Sequence, residues 1–172
     1  MLASALLIAA LAAPAAAPAQ RAVALGLFAS DSSYDYAGLL DELRALGAHR
    51  VQLDVVWTQE TQASARIHRR PGTSPDDDTV ARTIREARDR GLAVELFPIV
   101  RLEQHAPKEW RGTIAPTAGV DAWFSSYRDF VVTMADLAER GGAARLSVGS
   151  ELVSLEKEDA HWRALIAEVR RH

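Results

Sequence analysis

The chain has 172 residues, of which 48% are hydrophobic and 25% are charged, the balance of an ordinary globular protein with room for one domain. Its net charge of -3 argues against nucleic acid or an anionic membrane surface as a partner, because both select a basic face. It contains no cysteine, which excludes disulfides and thiolate metal sites.

An uncharged, Ala-rich leader comes first. Its apolar part, Leu2 to Ala13, is too short to span a bilayer, and Ala17-Pro18-Ala19 has the small-x-small form of a secretory cleavage site. We therefore predict a signal peptide at residues 1–19 and a secreted or periplasmic mature protein with no membrane segment. The alternative is a disordered Ala/Pro-rich leader, because the segment lacks the Lys or Arg usual near the start of a signal peptide.

After the leader, apolar runs alternate with helical patterns. The run AVALGLF at residues 22–28 predicts a strand, and the leucines that follow at helical spacing predict a helix that stops at Gly47. The run VQLDVVW at residues 51–57 predicts a second strand. A second helix is expected at about residues 76–90, with Gly91 as its cap.

The same alternation continues to the end of the chain. The run LAVELFPIV at residues 92–100 predicts the third strand, and ARLSVGS at residues 144–150 predicts the fourth. The third helix has an apolar face formed by Trp123, Tyr127, Phe130, Val131, Met134 and Ala138. The last helix has an apolar face formed by Trp162, Leu165, Ile166 and Val169.

Strands that alternate strictly with helices, and that lack a polar face, predict an α/β fold with a parallel sheet covered by helices. Doubly wound folds and barrels both satisfy this pattern. The long segments at residues 57–75 and 101–119 follow strands, as in a (β/α)8 TIM barrel, and no glycine-rich nucleotide motif is present. We therefore predict a TIM-barrel type fold, represented by about its first four β/α units.

Polar and aromatic side chains collect at the predicted carboxyl ends of the strands. They are Asp54, Trp57, His105, Trp110, Arg111 and Glu151. Indole rings stack on the apolar face of a sugar, and a carboxyl group exchanges a proton with a glycosidic oxygen, so these residues indicate a carbohydrate substrate. For Trp57 and Asp54 the alternative is a place in the packed core. The histidines show no metal-binding spacing, so we expect neither a metal nor a cofactor.

Four segments together resemble a known family. They are WRGTIAP at residues 110–116, AWFSSYRDFV at 122–131, VGSEL at 148–152 and HWRALIAEVR at 161–170. In this order and spacing they are similar to the TIM-barrel glycoside hydrolases related to the family 113 β-mannanases, including their GTA TIM-barrel-like relatives. The similarity runs from about Gly26 to the C-terminus.

The resemblance implies roles for particular residues. Glu151 takes the position of the acid/base glutamate at the end of the fourth strand. The nucleophile of such barrels lies on the seventh strand, so residues 20–172 correspond to the N-terminal half of the domain and lack it. Phe97 and Ile99 stand where the relatives tend to carry Lys and His, and Ser150 stands where many barrel glycosidases carry Asn.

Two functions remain open at this point. The first is an exported retaining glycoside hydrolase acting on β-glycosidic bonds of a mannan-type substrate. The second is a non-catalytic half-barrel that binds carbohydrate or pairs with another chain. A coding sequence beyond His172 that supplies four more strand–helix units, with a glutamate on the seventh strand, would favour the first.

A half-barrel also has two open sheet edges, at residues 22–28 and 144–150. Unpaired strand edges are templates for association. We expect inward-facing apolar side chains at these edges, and self-association of the isolated chain through them. The side chains concerned are Leu25, Leu27, Leu146 and Val148.

Overall fold

The computed structural model describes residues 21–29, 31 and 33–172, so the predicted signal peptide at residues 1–19 lies outside the described part. The strands are β1 (Ala22–Gly26), β2 (Arg50–Gln59), β3 (Ile67–His68), β4 (Ala93–Leu102) and β5 (Arg145–Leu146). The helices are α1 (Tyr36–Ala45), α2 (Asp77–Asp89), α3 (Val120–Gly141) and α4 (Asp159–Val169). The four predicted β/α units are therefore confirmed.

The order of the strands decides between the two folds that the sequence left open. The parallel strands follow the chain, in the order β1, β2, β4 and β5, and only the short β3 pairs antiparallel, with β2. Since crossovers between parallel strands are right-handed, an order that never reverses places every helix on one face of the sheet. Consecutive helices pack against one another along that face. This is the arrangement of an arc of a (β/α)8 barrel, not of a doubly wound sheet.

The hydrophobic core lies between the sheet and the helices. Along β2 and β4, alternate side chains such as Val51, Leu53 and Leu96 are fully buried on the helix side. The other face of the sheet, which a closed barrel would enclose, carries rows of residues in register. One row contains Gln52 of β2 and Glu95 of β4.

The predicted orientation of the apolar residues at the sheet edges is wrong. Leu27 is completely buried in the core, and three further residues pack against that core as partly buried side chains: Leu25, Leu146 and Val148. Leu25 faces the helices because it pairs with Leu53, and Leu146 does so because it pairs with Leu96, since both partners are buried on the helix side. The open face is instead lined near β1 by Ala24 and by Phe28, which is 47% exposed.

The bounds of the strands also differ from those predicted. Strands β2 and β4 run two residues past the apolar segments, to Gln59 and Leu102, because they pair with each other along their full length. The fourth parallel strand, β5, has only two residues, since it pairs with β4 alone. The predicted helix ends at Gly47 and Gly91 are confirmed, and both glycines have φ in the left-handed region, 80° and 73°.

No helix in the described ranges is both long and apolar enough to cross a membrane.

Candidate active site

Two of the predicted site residues on β2, Asp54 and Trp57, lie on opposite faces of the sheet, as the alternation of a strand requires. Trp57 lies on the helix side, where its indole stacks on Phe130 of α3 with ring centroids 4.7 Å apart. The guanidinium carbon of Arg69 lies 4.8 Å from the centroid of the Trp57 ring. The Trp57 ring is thus covered by protein side chains and is not brought together with Asp54.

Asp54 lies on the open face, in register with Gly26 of β1 and Phe97 of β4. Gln52 Nε2 donates a hydrogen bond of 2.8 Å to its Oδ1. Burial raises the pKa of Asp54 above its ordinary value, although the bond from Gln52 and the positive charge of Arg111 oppose this rise.

The raised pKa of Asp54 leads to a prediction about stability. The folded chain holds the Asp54 proton more tightly than the unfolded chain does, so folding loses stability as pH rises above about 4. Asparagine keeps the size of the side chain and removes the ionisation. We expect Asp54→Asn to be more stable than the parent at pH 7, with the difference vanishing near pH 3, in urea unfolding. A variant less stable than the parent at pH 7 would contradict this.

Glu151 follows β5 in a left-handed backbone conformation, with φ of 57°, which is uncommon outside glycine and is found at functional sites. Two residues earlier, a Cβ on Gly149 would lie only 3.1 Å from the Trp162 ring. The Tyr127 hydroxyl donates a 2.9 Å hydrogen bond to the carbonyl of Val148. Aromatic side chains of α3 and α4 therefore hold the backbone that presents Glu151, whose side chain is 52% exposed.

Arg111 forms an ion pair with Glu151, another of the predicted site residues. It begins a 3-10 turn, Arg111–Thr113, in the loop after β4, and its Nη2 lies 2.5 Å from Oε2 of Glu151. Its side chain is largely buried, and its Nε has no hydrogen-bond partner. Arg111 therefore joins the loop after β4 to the loop after β5, and its positive charge lowers the pKa of Asp54 on β2.

The remaining predicted residues, His105 and Trp110, lie in the same loop as Arg111, and both are exposed. The Trp110 ring packs against Gly112, where a Cβ would come within 2.4 Å of a ring atom, and 44% of Trp110 stays exposed. Solvent therefore reaches an indole next to the residue that binds Glu151. Within the described ranges, no group of three or more His, Asp or Glu residues is placed to hold a metal.

Sequence reasoning missed the residues that support this site. Gln52 has no motif of its own, and the helical pattern assigns Tyr127 and Trp162 only to the core. The one available signal is Gly149, two residues before Glu151, because a glycine at the end of a strand marks a place where other groups approach the backbone closely.

Comparison with solved structures finds close agreement in fold. A GH113 β-1,4-mannanase superposes with a TM-score of 0.73 and 28% identity over 81% of this chain and 47% of its own. The GH113 β-mannanase AaManA from Alicyclobacillus acidocaldarius, in complex with ManMIm, has a TM-score of 0.75 and 28% identity over 87% of this chain and 50% of its own. The chain thus spans about half the length of these structures.

More distant structures support the fold alone. A GH5_18 protein from Bifidobacterium longum subsp. longum has a TM-score of 0.52 and 18% identity over 87% of this chain and 41% of its own. Comparison with curated proteins gives no match. The family model of Glycoside Hydrolase Family 113 matches residues 24–172, which is nearly all of the described part. The chain therefore belongs to glycoside hydrolase family 113.

Proposed function

We propose that this chain is part of an exported retaining glycoside hydrolase that cleaves β-glycosidic bonds in mannan-type polysaccharides or oligosaccharides, with Glu151 as general acid and base. One observation carries the proposal. The half-exposed carboxylate of Glu151 lies 2.5 Å from Arg111, on a residue with a left-handed backbone in the loop that follows the fourth parallel strand. It does so in a family whose solved members include β-1,4-mannanases.

The chemistry divides into two steps at one carboxyl group. In the first step, the Glu151 carboxyl gives its proton to the glycosidic oxygen while a second, nucleophilic carboxylate attacks the anomeric carbon and the bond from that carbon to the oxygen breaks. In the second step, the resulting Glu151 carboxylate takes a proton from water as the water attacks the anomeric carbon and displaces the nucleophilic carboxylate. The exposure of Glu151 allows both the leaving sugar and water to reach it.

A retaining mechanism also needs a nucleophilic carboxylate about 5 Å from the acid. We propose that it comes from a segment outside these 172 residues, on the seventh strand of the complete barrel. Asp54 is a poor substitute, because its raised pKa opposes the ionised form that a nucleophile requires.

For the substrate, we propose contacts with residues around the Arg111–Glu151 pair. The half-buried carboxyl of Asp54 is suited to a sugar hydroxyl, and the exposed part of the Trp110 indole is suited to stacking on a pyranose ring. His105 lies exposed in the same loop and supplies a further polar contact. We assign Trp57 to core packing instead, since the side chains of Phe130 and Arg69 pack against its ring.

The experiment uses the full-length protein that carries this chain, incubated with a β-1,4-linked mannohexaose and followed by proton NMR. We expect new reducing ends that appear first as the β-anomer and later equilibrate. First appearance of the α-anomer would exclude retention, and absence of cleavage would favour a non-catalytic carbohydrate-binding protein. The polypeptide of residues 20–172 alone should give no turnover, because it supplies one carboxylate of the required pair.

Export is part of the proposal and has its own test. The uncharged leader and the site after Ala19 support it. Mass spectrometry of the protein recovered from the periplasm or the medium of an expressing bacterium should give a mature N-terminus at Gln20. An intact N-terminus and purely cytoplasmic recovery would refute export without affecting the catalytic proposal.

A further inference from the structure

A general acid must be held within hydrogen-bond reach of one oxygen of the substrate, in one orientation. Glu151 by itself does not meet this condition. Its side chain is 52% exposed, and an exposed glutamate ordinarily samples several staggered rotamers. The backbone below it is fixed by Tyr127 and by the packing of Gly149, but these contacts act on the main chain and leave the carboxylate free to turn.

Arg111 is the residue that restrains the carboxylate. Its Nη2 lies 2.5 Å from Glu151 Oε2, and the arginine side chain is only 28% exposed. The Nε atom is buried, so the guanidinium is enclosed by protein at one end and meets Glu151 at the other. An arginine that is held in this way restrains its carboxylate partner more strongly than one mobile surface side chain restrains another.

The loops that carry the two residues are also joined. Ile114 follows the Arg111–Thr113 turn, is 1% exposed, and accepts a 2.7 Å hydrogen bond from the Ser154 hydroxyl through its carbonyl. Ser154 lies three residues after Glu151. Arg111 and Glu151 therefore lie on two loops that are joined to each other by a hydrogen bond.

We infer that Arg111 is a positioning residue: it holds the Glu151 carboxyl in the orientation that meets the leaving-group oxygen, without itself touching the reacting atoms. This inference rests on the proposed function. It differs from the substrate-binding role that the sequence suggests for Arg111, because a residue that orients the acid affects cleavage of the glycosidic bond, the step that kcat/KM reports, only when the leaving group needs a proton.

The test compares two substrates, one whose leaving group needs a proton and one whose leaving group does not. In the full-length protein, Arg111→Met and Arg111→Lys are compared on mannotetraose and on a 2,4-dinitrophenyl β-mannobioside, whose leaving group departs without a proton. We expect Arg111→Met to lower kcat/KM on mannotetraose by roughly 10- to 100-fold, the cost of a misplaced catalytic group. On the dinitrophenyl substrate kcat/KM should change little, and Arg111→Lys should restore part of the loss.

Arg163→Met is the matched control. Arg163 forms an exposed ion pair with Asp159 on α4, and its loss should leave both rates unchanged. Equal losses by Arg111→Met on both substrates would mean that Arg111 binds sugar or supports the fold, and the inference would be wrong. If Glu151→Gln abolishes mannotetraose cleavage while Arg111→Met has no effect, only the inference fails. If Glu151→Gln also has no effect, the proposed function itself fails.

Discussion

Replacing Glu151 by glutamine in the full-length protein should lower kcat/KM on mannooligosaccharides by about 10²- to 10⁴-fold, the contribution of a positioned general acid. Glutamine has the same shape and still accepts a hydrogen bond from Arg111 through its amide oxygen. It has no proton to give to the glycosidic oxygen and cannot accept one from water. The measurement is the initial rate of reducing-end formation from mannotetraose at several substrate concentrations.

The Glu151 prediction has three internal checks, namely the stability of the variant, a control variant and rescue by an added anion. Glu151 is exposed and its partner Arg111 is an ion-pair neighbour, so the variant should unfold within about 1 kcal/mol of the parent. Glu156→Gln, an exposed glutamate five residues later, should retain full activity. On a dinitrophenyl glycoside, added azide should raise the rate of Glu151→Ala, since the anion attacks the intermediate without general-base help. An undiminished rate in Glu151→Gln would remove this residue from the mechanism.

The polypeptide of residues 20–172, purified alone, should self-associate at micromolar concentration. One edge of β1 pairs with β2, and the described part of the chain places no strand against its other edge. This strand is uncharged, with exposed residues at Ala22, Val23 and Ala24. Unpaired backbone donors and acceptors on an apolar edge strand favour pairing with a second chain. Sedimentation velocity should therefore give dimers or larger species.

A positive charge introduced at the β1 edge distinguishes association through this edge from nonspecific aggregation. Ala24→Lys places an ammonium group on the open face beside Gln52, and its burial between two copies should weaken association roughly tenfold or more, which is at least about 1.4 kcal/mol. Leu46→Lys changes a 74% exposed leucine at the end of α1 and should leave association unaltered. A cooperatively folded monomer across the micromolar range would show that the open edges do not drive association.

Much of the fold follows from short-range patterns in the sequence. The apolar runs at β2 and β4 predict buried strands because both strands lie in the middle of the sheet. The ends of α1 and α2 follow from Gly47 and Gly91, which adopt the left-handed conformation that few other residues tolerate. The position of Glu151 at the end of the fourth strand follows from the same alternation of strand and helix.

Side-chain orientation at the edges does not follow from such patterns. In β1 and just after it, Val23, Leu25 and Leu27 alternate with alanine and glycine, but neither face is polar, so the sequence does not show which face meets the helices. The direction of these side chains is set by the pairing of β1 with β2, in which Leu25 lies beside Leu53. Trp57 is a similar case, because the same indole suits a sugar or a core and its contact with Phe130 comes from α3, far along the chain.

The sequence by itself determined the alternating β/α architecture, the helix ends, and the acid at a strand end, since these depend on residues close together in the chain. Only the tertiary structure decided that the sheet winds in one direction and that Arg111 meets Glu151. These two residues come from separate β/α units. The distance between them therefore depends on strand order and register, which arise from long-range pairing that local composition does not encode.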